Sequence, residues 1–341
     1  MEKAATVRFG VIGAGRIGKI HAANLALRVP GAAIAAISDI DPGAARQLAG
    51  QLNVPTVAED YHELLADPGV DAVAVCSSTN THARIVVEAA QAGKHIFCEK
   101  PIDHDLAKID QALAAVQAAG VKFQVGFNRR FDPNFRKIRQ MVADGEIGTP
   151  HILRITSRDP APPPVSYVRV SGGIFLDMTI HDFDMARYLM GSEVLEVYAS
   201  GGALVDPEIG AAGDLDTVVI TLRFENGAIG TIDNSRKAVY GYDQRVEVFG
   251  SGGMLQALNN LPENIVFSNA DQVQTPKPLY FFLERYAESF AAEMQAFVRS
   301  IREDTQPPVT GADGRIPVVM GMAAHRSVLE HRPVRLEEIS G

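Results

Sequence analysis

The sequence predicts an α/β protein of two domains: an N-terminal doubly wound parallel sheet and a C-terminal α+β domain with a large, mainly antiparallel, open-faced sheet. The first third of the chain alternates short, continuous apolar runs with helical stretches, which is typical of strands buried on both faces. After Phe127 the runs alternate in polarity, and two amphipathic stretches follow. The chain has 341 residues, whereas one hydrophobic core supports roughly 250–300. We therefore expect domains over residues 1–126 and 127–341.

The elements of the first domain follow one another in regular strand–helix order. Gly-rich turns connect them, and this alternation implies a parallel sheet with right-handed crossovers. The predicted strands are Val7–Ile12, Ala33–Ser38, Asp71–Cys76, His95–Cys98 and Lys122–Phe127. The predicted helices are Ile17–Val29, Pro42–Leu52, Tyr61–Ala66, Thr81–Ala92 and Asp105–Ala119.

The second domain begins with a connecting helix at Phe131–Ala143. Asn226–Gly227 stands between two alternating runs and is a strong signal for a two-residue hairpin turn. We expect two long helices near the end of the chain, Tyr280–Arg302 and Pro317–Glu330. The predicted strands are His151–Ser157, Val194–Gly201, Thr217–Phe224, Ile229–Ser235, Arg245–Phe249 and Met254–Ala257.

Composition narrows the class of partner. The chain carries 32 Lys and Arg against 41 Asp and Glu, a formal net charge of −9, which argues against nucleic-acid and anionic-membrane surfaces. Cys76 and Cys98 lack the spacing of metal ligands, so we expect buried thiols in a reducing compartment and no metal site. The first apolar run is short and broken by glycines, and no stretch suits a bilayer. We expect a cytoplasmic protein.

A glycine motif follows the first strand and opens a helix. In GAGRIG, Gly13 permits the tight turn, Gly15 lets a pyrophosphate approach backbone N–H groups, and Gly18 lets the helix pack closely on the strand. The alternative is a glycine-rich turn that binds no ligand. The candidate cofactor contacts here are Gly13, Gly15, Arg16, Ile17 and Gly18.

Asp39 ends the second predicted strand, 21 residues past Gly18. A carboxylate at this place accepts hydrogen bonds from the adenosine ribose hydroxyls and repels a 2′-phosphate. We therefore expect NAD rather than NADP as the cofactor. The alternative is that Asp39 only caps the next helix, a role that Asp41, directly before Pro42, could fill instead.

Short polar residues follow the third predicted strand, at the carboxyl edge of the sheet where ligands bind. They suit contacts to ribose or pyrophosphate, although Thr79 or Asn80 could also start the next helix as its N-cap. His82 is either a wall of the site or an ordinary helix residue. The candidates in this loop are Ser77, Thr79, Asn80 and His82.

Glu99-Lys100-Pro101 follows the fourth predicted strand, so Lys100 points toward the same edge. An ammonium group there can hold a hydroxyl and stabilise the alkoxide that develops as hydride leaves. Glu99 could pin either the nicotinamide ribose or Lys100 itself. The alternative for Lys100 is an ordinary solvated side chain at a strand end.

The segment Gly172–Gly191 reads as one helix that ends at its last glycine. Asp177, His181, Asp184 and Tyr188 would then lie on one face, and their apolar flanks predict a buried polar stripe. Asp177 and His181 have the spacing of a carboxylate–imidazole pair, in which the imidazole accepts a hydroxyl proton near neutral pH. The alternative is a core pair with a structural role.

Together, GAGRIG, CEKP and GGIFLDMTIHDFDMARYLMG resemble the Gfo/Idh/MocA oxidoreductase family, and the similarity runs through nearly the whole chain. Ser157–Pro164 and Asn234–Gly253 resemble the bacterial inositol 2-dehydrogenases within it. The resemblance implies a Rossmann domain, then a domain whose sheet lines the substrate site and supports a homotetramer. It also implies a catalytic trio, with His181 as proton acceptor and Lys100 and Asp177 holding the reacting hydroxyl.

We thus expect NAD-dependent oxidation of a ring hydroxyl of a cyclic polyol, with myo-inositol giving 2-keto-myo-inositol. Alternatives are scyllo-inositol, a pyranose such as glucose, or a non-catalytic NAD(H)-binding regulator, which would have little reason to keep the catalytic trio. A polyol needs many neutral hydrogen bonds. The candidate substrate contacts are Lys100, Asn128, Arg129, Arg158, Asp159, Asp177, His181 and Tyr240, some of which could instead face solvent or a tetramer interface.

Overall fold

The structure, a computed structural model, describes residues 6–340 and divides into two compact units. The first unit comprises the chain up to Asn128 together with Glu288–Ile316, and the second comprises Arg129–Ala287 and the chain from Pro317 onward. Our boundary after residue 126 lies close to the observed one after Asn128. Our assignment of residues 288–316 to the second domain is wrong.

The reason for that error is an aromatic contact between distant segments. The ring of Phe297 lies 6.1 Å from that of Phe9 and 6.2 Å from that of Phe97, and all three side chains are fully buried. Burial of large aromatic side chains is a strong driving force. This late helix therefore completes the core of the first unit, which chain order alone does not indicate.

The first unit contains the predicted parallel sheet. Its six strands are β1 (Val7–Ile12), β2 (Ala32–Ser38), β3 (Thr56–Ala58), β4 (Ala72–Val75), β5 (His95–Glu99) and β6 (Phe123–Gly126). They pair in parallel in the order β3-β2-β1-β4-β5-β6, so the doubly wound sheet is confirmed. The strand β3 was not predicted, since it has three residues and its first residue is exposed.

Helices connect these strands, as the alternation predicts. They are α1 (Arg16–Leu27), α2 (Pro42–Leu52), α3 (Tyr61–Ala66), α4 (Thr79–Gln91) and α5 (Leu106–Ala119). All four residues of β4 are buried, as the continuous apolar run requires. The carboxyl ends of β1, β4 and β5 lie side by side, so the residues that follow these strands share one edge of the sheet.

The second unit contains a seven-stranded sheet. It begins after a 3₁₀ turn (Asn128–Phe131) and α6 (Pro133–Ala143). Its strands are β7 (Pro150–Arg158), β8 (Val194–Gly202), β9 (Thr217–Phe224), β10 (Ile229–Ser235), β11 (Asp243–Gly250), β12 (Gly253–Ala257) and the short β15 (Val334–Arg335). Two further strands, β13 (Phe267–Ser268) and β14 (Val273–Gln274), form a separate hairpin. The order is β12-β11-β7-β10-β9-β8-β15.

This sheet is mainly antiparallel, as predicted. β10 pairs in parallel with β7, whereas the other neighbouring strands of the sheet pair antiparallel. Burial alternates along β9: Val218, Ile220 and Leu222 are buried, while Val219 is 55% exposed. One face of the sheet thus packs inside the unit, and the other is open.

Two predicted helices are interrupted. The segment Gly172–Gly191 forms α8 (Gly173–Asp177) and α9 (Ile180–Met190), separated at Met178 and Thr179, so a single helix is wrong. The stretch Tyr280–Arg302 likewise forms α11 (Phe282–Arg285) and α12 (Ala287–Arg302). The remaining helices are α7 (Val165–Val168), α10 (Pro207–Ala211), α13 (Gly311–Glu330), which contains Pro317, and α14 (Glu337–Ser340).

None of the helices in the described part of the chain combines the length and the apolar character that a membrane span needs.

Candidate active site

The glycine turn has the geometry that a dinucleotide site requires. Gly13 has a φ of +105°, and a Cβ there would lie 2.5 Å from the carbonyl oxygen of Cys76. A Cβ on Gly18 would lie 1.9 Å from the carbonyl oxygen of Gly13, so only glycine permits the contact between helix and turn. At Gly15, by contrast, a Cβ would meet nothing within 4 Å. The open side of the turn therefore lies at the N-terminus of α1, which starts with Arg16 and Ile17.

Asp39 is tied to this turn. Its Oδ2 accepts a hydrogen bond from the backbone N of Ala14 at 2.5 Å, and its Oδ1 accepts one from the backbone N of Asp41 at 2.7 Å. The N-cap of α2 is Asp41, whose side chain accepts from the backbone N of Gly43 at 2.8 Å. Asp39 is therefore not the capping residue, and its carboxylate lies beside the glycine turn as a ribose contact requires.

The loop after β4 differs from the prediction at its cap. Helix α4 starts at Thr79 and not at Thr81, and its N-cap is Ser78, whose side chain makes no capping bond. Our expectation of Thr79 or Asn80 as the cap is therefore wrong, because both lie inside the helix. Ser77 Oγ lies 2.7 Å from Thr81 Oγ1, which closes the loop with a bond between side chains.

His82 joins two segments at the carboxyl edge of the sheet. The residue is 2% exposed, with Nδ1 2.9 Å from the carbonyl oxygen of Pro101 and Nε2 3.0 Å from that of Ser77. The imidazole thus links the loop after β4 to the segment after β5. This geometry favours a structural support of the site over the two roles that we considered from the sequence.

Glu99 is held on both sides of its carboxylate. Its Oε1 lies 2.6 Å from Nε2 of His21, and its Oε2 accepts a hydrogen bond from the backbone N of Lys100 at 3.2 Å. Glu99 is 7% exposed, whereas Lys100 is half-buried. The peptide bond between Lys100 and Pro101 is cis. We expected Glu99 to contact either the nicotinamide ribose or Lys100, and in the structure it contacts the backbone of Lys100.

In the second unit, Asp177 lies at the end of α8, just before the helix is interrupted. Its Oδ1 accepts a hydrogen bond from the hydroxyl of Tyr167 at 2.9 Å, and its Oδ2 accepts one from Arg236 Nη1 at 3.1 Å. Arg236 is 1% exposed, and its Nη2 lies 3.7 Å from Asp214 Oδ2. A buried cation therefore supports the acid that we predicted to be catalytic.

The interruption after Asp177 has a tertiary cause. The hydroxyl of Thr179, which is fully buried, donates to Oδ1 of Asn234 on β10 at 2.6 Å. Asn234 in turn donates through Nδ2 to Asp182 Oδ2 at 2.9 Å. Asp177 and His181 therefore lie on two short helices rather than on one face of a long helix. His181 is half-buried in the first turn of α9.

Arg129 lies in this buried network and not on an open surface. Its Nη1 donates to Asp182 Oδ1 at 2.5 Å, and its Nη2 donates to the hydroxyl of Tyr242 at 3.4 Å. Burial alone would lower the pKa of Arg129, but Tyr286 and Asp182 raise it above the ordinary value. Burial disfavours the charged form of the acid as well, so it raises the pKa of Asp182. An ion pair of this kind contributes a defined geometry more than it contributes stability.

The predicted polar stripe is only partly buried. Asp184 is buried and accepts hydrogen bonds from Arg130 at 2.6 to 3.0 Å, while Tyr188 is half-buried with the guanidinium of Arg130 5.2 Å from its ring centroid. Asp177 and His181 are also half-buried. Asp184 and Tyr188, the two later residues of the stripe, thus both contact Arg130.

Asp159 follows β7 and is partly exposed. Burial of its carboxyl group, together with the nearby negative charge of Asp177, raises the pKa of Asp159 to about 7, although Arg236 opposes this shift. Its backbone carbonyl accepts from the N of Ala238 at 2.6 Å. The Asp159 carboxyl group can therefore change its charge near neutral pH, and its pKa depends on the charge of Asp177.

Arg158 and Tyr240 form one polar group with two acids. Arg158 Nε donates to Asp233 Oδ1 at 2.6 Å, and its Nη1 donates to the Tyr240 hydroxyl at 3.2 Å. That hydroxyl donates to Asp243 Oδ2 at 2.6 Å. Asn128 is 4% exposed and is the last residue of the first segment of the first unit. Tyr240, by contrast, is 38% exposed.

Comparison with known proteins gives the family. A family model described as an oxidoreductase family with an NAD-binding Rossmann fold matches residues 7–127, and one described as the GFO/IDH/MocA C-terminal domain matches residues 135–256. The chain is 53% identical to the myo-inositol 2-dehydrogenase of Thermotoga maritima, an alignment that covers 98% of this chain and 100% of that one. This chain belongs to the Gfo/Idh/MocA oxidoreductase family.

Other members of the Gfo/Idh/MocA family are similar over the same length. An inositol 2-dehydrogenase of Rhizobium meliloti is 45% identical, with 97% of this chain and 99% of that one covered. The crystal structure of scyllo-inositol dehydrogenase from Lactobacillus casei with bound NAD(H) and scyllo-inositol has a TM-score of 0.91 and 32% identity, and the match covers 97% of this chain and 99% of that one. The first unit is thus the NAD-binding Rossmann domain of an oxidoreductase, as predicted.

Sequence reasoning missed several buried residues of this family member. Asp182 was overlooked because a continuous helix would have turned it away from the face of His181. Arg236 follows a strand and carries no local signal of burial, and His21 reads as an ordinary helix residue. The residues missed in this way are His21, Asp182, Asn234, Arg236, Asp243 and Glu293.

Proposed function

We propose that this chain is an NAD-dependent dehydrogenase that oxidises one ring hydroxyl of a cyclic polyol, with myo-inositol as substrate and 2-keto-myo-inositol (scyllo-inosose) as product. The observation that carries the proposal is the 53% identity, over 98% of the chain, to a protein named myo-inositol 2-dehydrogenase. Similarity of this extent spans both units, so it includes the segments that contain Lys100, Asp177 and His181.

The residues of the first unit fit the cofactor. Gly15 leaves open space at the N-terminus of α1, where backbone N–H groups favour a pyrophosphate. Arg16 and Ile17 follow at the same helix end, and Asp39 would accept hydrogen bonds from the adenosine ribose. When bound, NAD supplies the nicotinamide ring that accepts the hydride. The other proposed contacts to the cofactor are Ser77, Thr79, Asn80, Glu99 and Lys100, and His82 supports the loop that contains Ser77.

Residues of the chain accept the proton of the reacting hydroxyl and stabilise the negative charge that develops on its oxygen. His181 takes the proton of the reacting hydroxyl, since an imidazole titrates near neutral pH. Lys100 stabilises the alkoxide oxygen through its ammonium group, and Asp177 holds the hydroxyl and favours the imidazolium form of His181. Tyr167 and Arg236 keep the Asp177 carboxylate in place at 2.9 and 3.1 Å.

The remaining polar residues would recognise the polyol. Arg158 and Tyr240 offer a guanidinium and a partly exposed hydroxyl, and Asp159 offers a carboxyl group that can donate or accept. Asn128 and Arg129 are buried, so we assign them to the support of the site more than to direct contact.

A second candidate substrate is scyllo-inositol. The solved scyllo-inositol dehydrogenase holds that compound together with NAD(H) and covers 97% of this chain. The two inositols differ in the configuration at one carbon, so a small change of contacts in one site could exchange them.

The test is an assay of the purified protein with NAD and a panel of cyclitols and sugars, followed through the absorbance of NADH. We expect the highest kcat/KM with myo-inositol. A higher kcat/KM with scyllo-inositol would show that the second candidate is the preferred substrate. A higher kcat/KM with glucose would show that the substrate is a pyranose rather than a cyclitol. No turnover of any compound, with NADH still bound, would favour a cofactor-binding regulator.

We further propose a homotetramer in which the open face of the C-terminal sheet meets a second copy. Ile229, Ile152, Phe249 and Met254 are direct neighbours across four strands, and three of them are between 44% and 49% exposed. Contiguous exposed apolar surface of this kind marks interfaces. The hairpin near Phe267 adds further exposed apolar side chains, namely Leu258, Ile265, Val266, Phe267 and Val273.

Sedimentation of the wild-type protein tests this assembly. We expect the mass of four chains, and we expect the double variant Ile229→Arg and Phe249→Arg to sediment as a smaller species with unchanged secondary structure. A wild-type monomer would refute the proposal.

We also propose a cytoplasmic location. Both cysteines are buried free thiols, which suits a reducing compartment. Fractionation of the source cells should recover the protein with cytoplasmic markers, and recovery with the membrane or the exported fraction would contradict this location.

A further inference from the structure

A buried cluster of three ionisable groups lies beneath the segment that carries Lys100. His21 and Glu293 are fully buried, and Glu99 is 7% exposed. His21 belongs to α1, three residues after Gly18, and Glu293 belongs to α12, so three distant segments supply the cluster. All of them belong to the first unit.

The contacts within this His21–Glu99–Glu293 cluster are unequal. His21 Nε2 lies 2.6 Å from Glu99 Oε1 but 3.9 Å from Glu293 Oε1. Two aromatic rings fix the plane of the imidazole edge-on, Phe97 at 4.8 Å and Phe290 at 5.7 Å between centroids. The imidazole therefore has one orientation, and in that orientation it donates to Glu99.

The far side of the Glu99 carboxylate is equally restricted. Its Oε2 accepts from the backbone N of Lys100 at 3.2 Å, and the carboxylate rests against Gly126, where an added Cβ would lie 3.1 Å from Glu99 Cδ. His21 thus sets the position of Glu99, and Glu99 contacts the backbone of Lys100.

Glu293 adds a carboxyl group whose contact with His21, at 3.9 Å, is too long for a hydrogen bond. Within the described residues neither of its oxygens has a hydrogen-bond partner, and the group is fully buried. Burial first, and then the charge of Glu99, raise the pKa of Glu293 well above its ordinary value. Burial also raises the pKa of the neighbouring thiols Cys76 and Cys98, so these stay neutral.

Such a cluster is costly for a purely structural purpose. A buried imidazole–carboxylate pair contributes little net stability compared with apolar side chains of similar volume, and an unpaired buried carboxyl group is unfavourable. The cluster ends directly before Lys100, at the sheet edge where ligands bind in such folds. Its position points to the alignment of the segment that carries the reaction.

We propose that His21 is a positioning residue for the dehydrogenase reaction: it holds the Glu99 carboxylate, which in turn sets the backbone of Lys100. The proposal rests on the proposed function. Glu293, which is fully buried and has no hydrogen-bond partner among the described residues, is the neutral carboxylic acid of the cluster. The 2.6 Å contact between His21 and Glu99 is shorter than two ligands of one ion allow, which favours a shared proton over a metal ion.

The first experiment compares His21→Leu with His21→Gln. Leucine removes the donor, while the glutamine amide can still donate to Glu99. We expect kcat to fall by about 10- to 100-fold in His21→Leu, with a small change in the KM for the polyol, and to recover most of its value in His21→Gln. Equal kcat in both variants and the wild type, at equal thermal stability, would overturn the positioning role.

A second readout does not need a polyol, so it remains decisive if the proposed substrate is wrong. The emission spectrum of bound NADH reports the surroundings of the nicotinamide ring. We expect the spectrum to change in His21→Leu and to return toward wild type in His21→Gln. Identical spectra in all three proteins would count against the proposal, whatever the substrate is.

Infrared spectroscopy and metal analysis test Glu293. At neutral pH the infrared difference spectrum of wild type minus Glu293→Gln should show the carbonyl band of a protonated carboxylic acid, because the contribution of Asp159, whose pKa is raised to about 7, is present in both proteins and cancels. A difference spectrum without this band would refute the neutral acid. One equivalent of a divalent metal in the purified protein, lost in Glu293→Gln, would instead show that the cluster binds a metal ion.

Discussion

Arg236 donates a hydrogen bond from Nη1 to Oδ2 of Asp177 at 3.1 Å, and 1% of the residue is exposed. The same guanidinium faces Asp214 at 3.7 Å. One buried cation thus neutralises two acids, and one of these is the proposed catalytic carboxylate. This arrangement makes the orientation of Asp177 depend on a residue that follows the strand β10, 59 positions later in the chain.

The first prediction concerns this cation. Arg236→Met should lower the free energy of unfolding by about 3–5 kcal/mol, because it leaves two carboxylates without their buried partner. The activity of the folded fraction should also fall. Urea denaturation and NAD reduction measure the two effects. The matched control is Arg326→Met, which removes an exposed pair with Glu330 and should cost less than about 1 kcal/mol. Equal losses in both variants would contradict the assignment.

The second prediction separates two glycines of the same motif. Gly18→Ala should destabilise the protein by about 1–3 kcal/mol or more, because its Cβ would meet the carbonyl oxygen of Gly13 at 1.9 Å. Gly15→Ala should fold normally, since its Cβ meets nothing within 4 Å, yet it should bind NADH at least about tenfold more weakly by obstructing the pyrophosphate. Thermal unfolding and NADH titration test both variants, and normal NADH affinity in Gly15→Ala would exclude this turn as the cofactor site.

The third prediction concerns cofactor choice. Asp39→Ser should reduce the preference for NAD over NADP, measured as the ratio of kcat/KM values, by at least about tenfold, because contact between like charges costs several kcal/mol. Asp41→Ser is the control, since serine is also a good N-cap and Asp41 caps α2. The same ratio in all three proteins would remove Asp39 from the ribose site.

The fourth prediction concerns the pH dependence of stability that results from Asp159. Its pKa is raised from 3.8 to about 7 in the folded protein, so unfolding between these values releases a proton. Stability due to this group therefore falls as pH rises through that window, by at most about 1.4 kcal/mol per pH unit, and Asp159→Asn should lack this slope. Denaturation curves from pH 4 to pH 8 provide the measurement.

Asp304→Asn is the control for Asp159. Lys122 lowers the pKa of Asp304 rather than raising it, so this substitution should not remove the falling slope. If the slopes of the wild type and Asp159→Asn coincide, the Asp159 carboxyl group does not hold a proton in the folded state.

The fifth prediction tests the proton acceptor. His181→Ala should lower kcat by about 10²–10⁴-fold and leave NADH affinity nearly unchanged, because general-base catalysis contributes an effect of that size. His325→Ala removes an exposed histidine of α13 and should retain full activity. Loss of NADH binding in His181→Ala would point to a structural histidine instead.

Local patterns were sufficient wherever neighbouring residues decide the structure. The strand β4 reads as a buried parallel strand because all of its side chains are apolar. The glycine turn is equally local, since Gly13 and Gly18 each meet backbone within a few ångströms. Lys100 could be placed at the sheet edge for the same reason, because the end of a parallel strand fixes the edge to which the next residue belongs.

The tertiary structure decided what depends on distant partners. The helix predicted through Asp177 and His181 is interrupted because Thr179 bonds to Asn234 on a strand that lies far along the chain. Arg129, which we expected to contact the substrate, is instead buried against Asp182, its counter-charge. The amino-acid sequence by itself thus determined the order of elements, the glycine turn and the types of the groups that we propose to be catalytic. Which polar side chains are buried, and which acid each cation meets, depended on contacts between segments that no local pattern encodes.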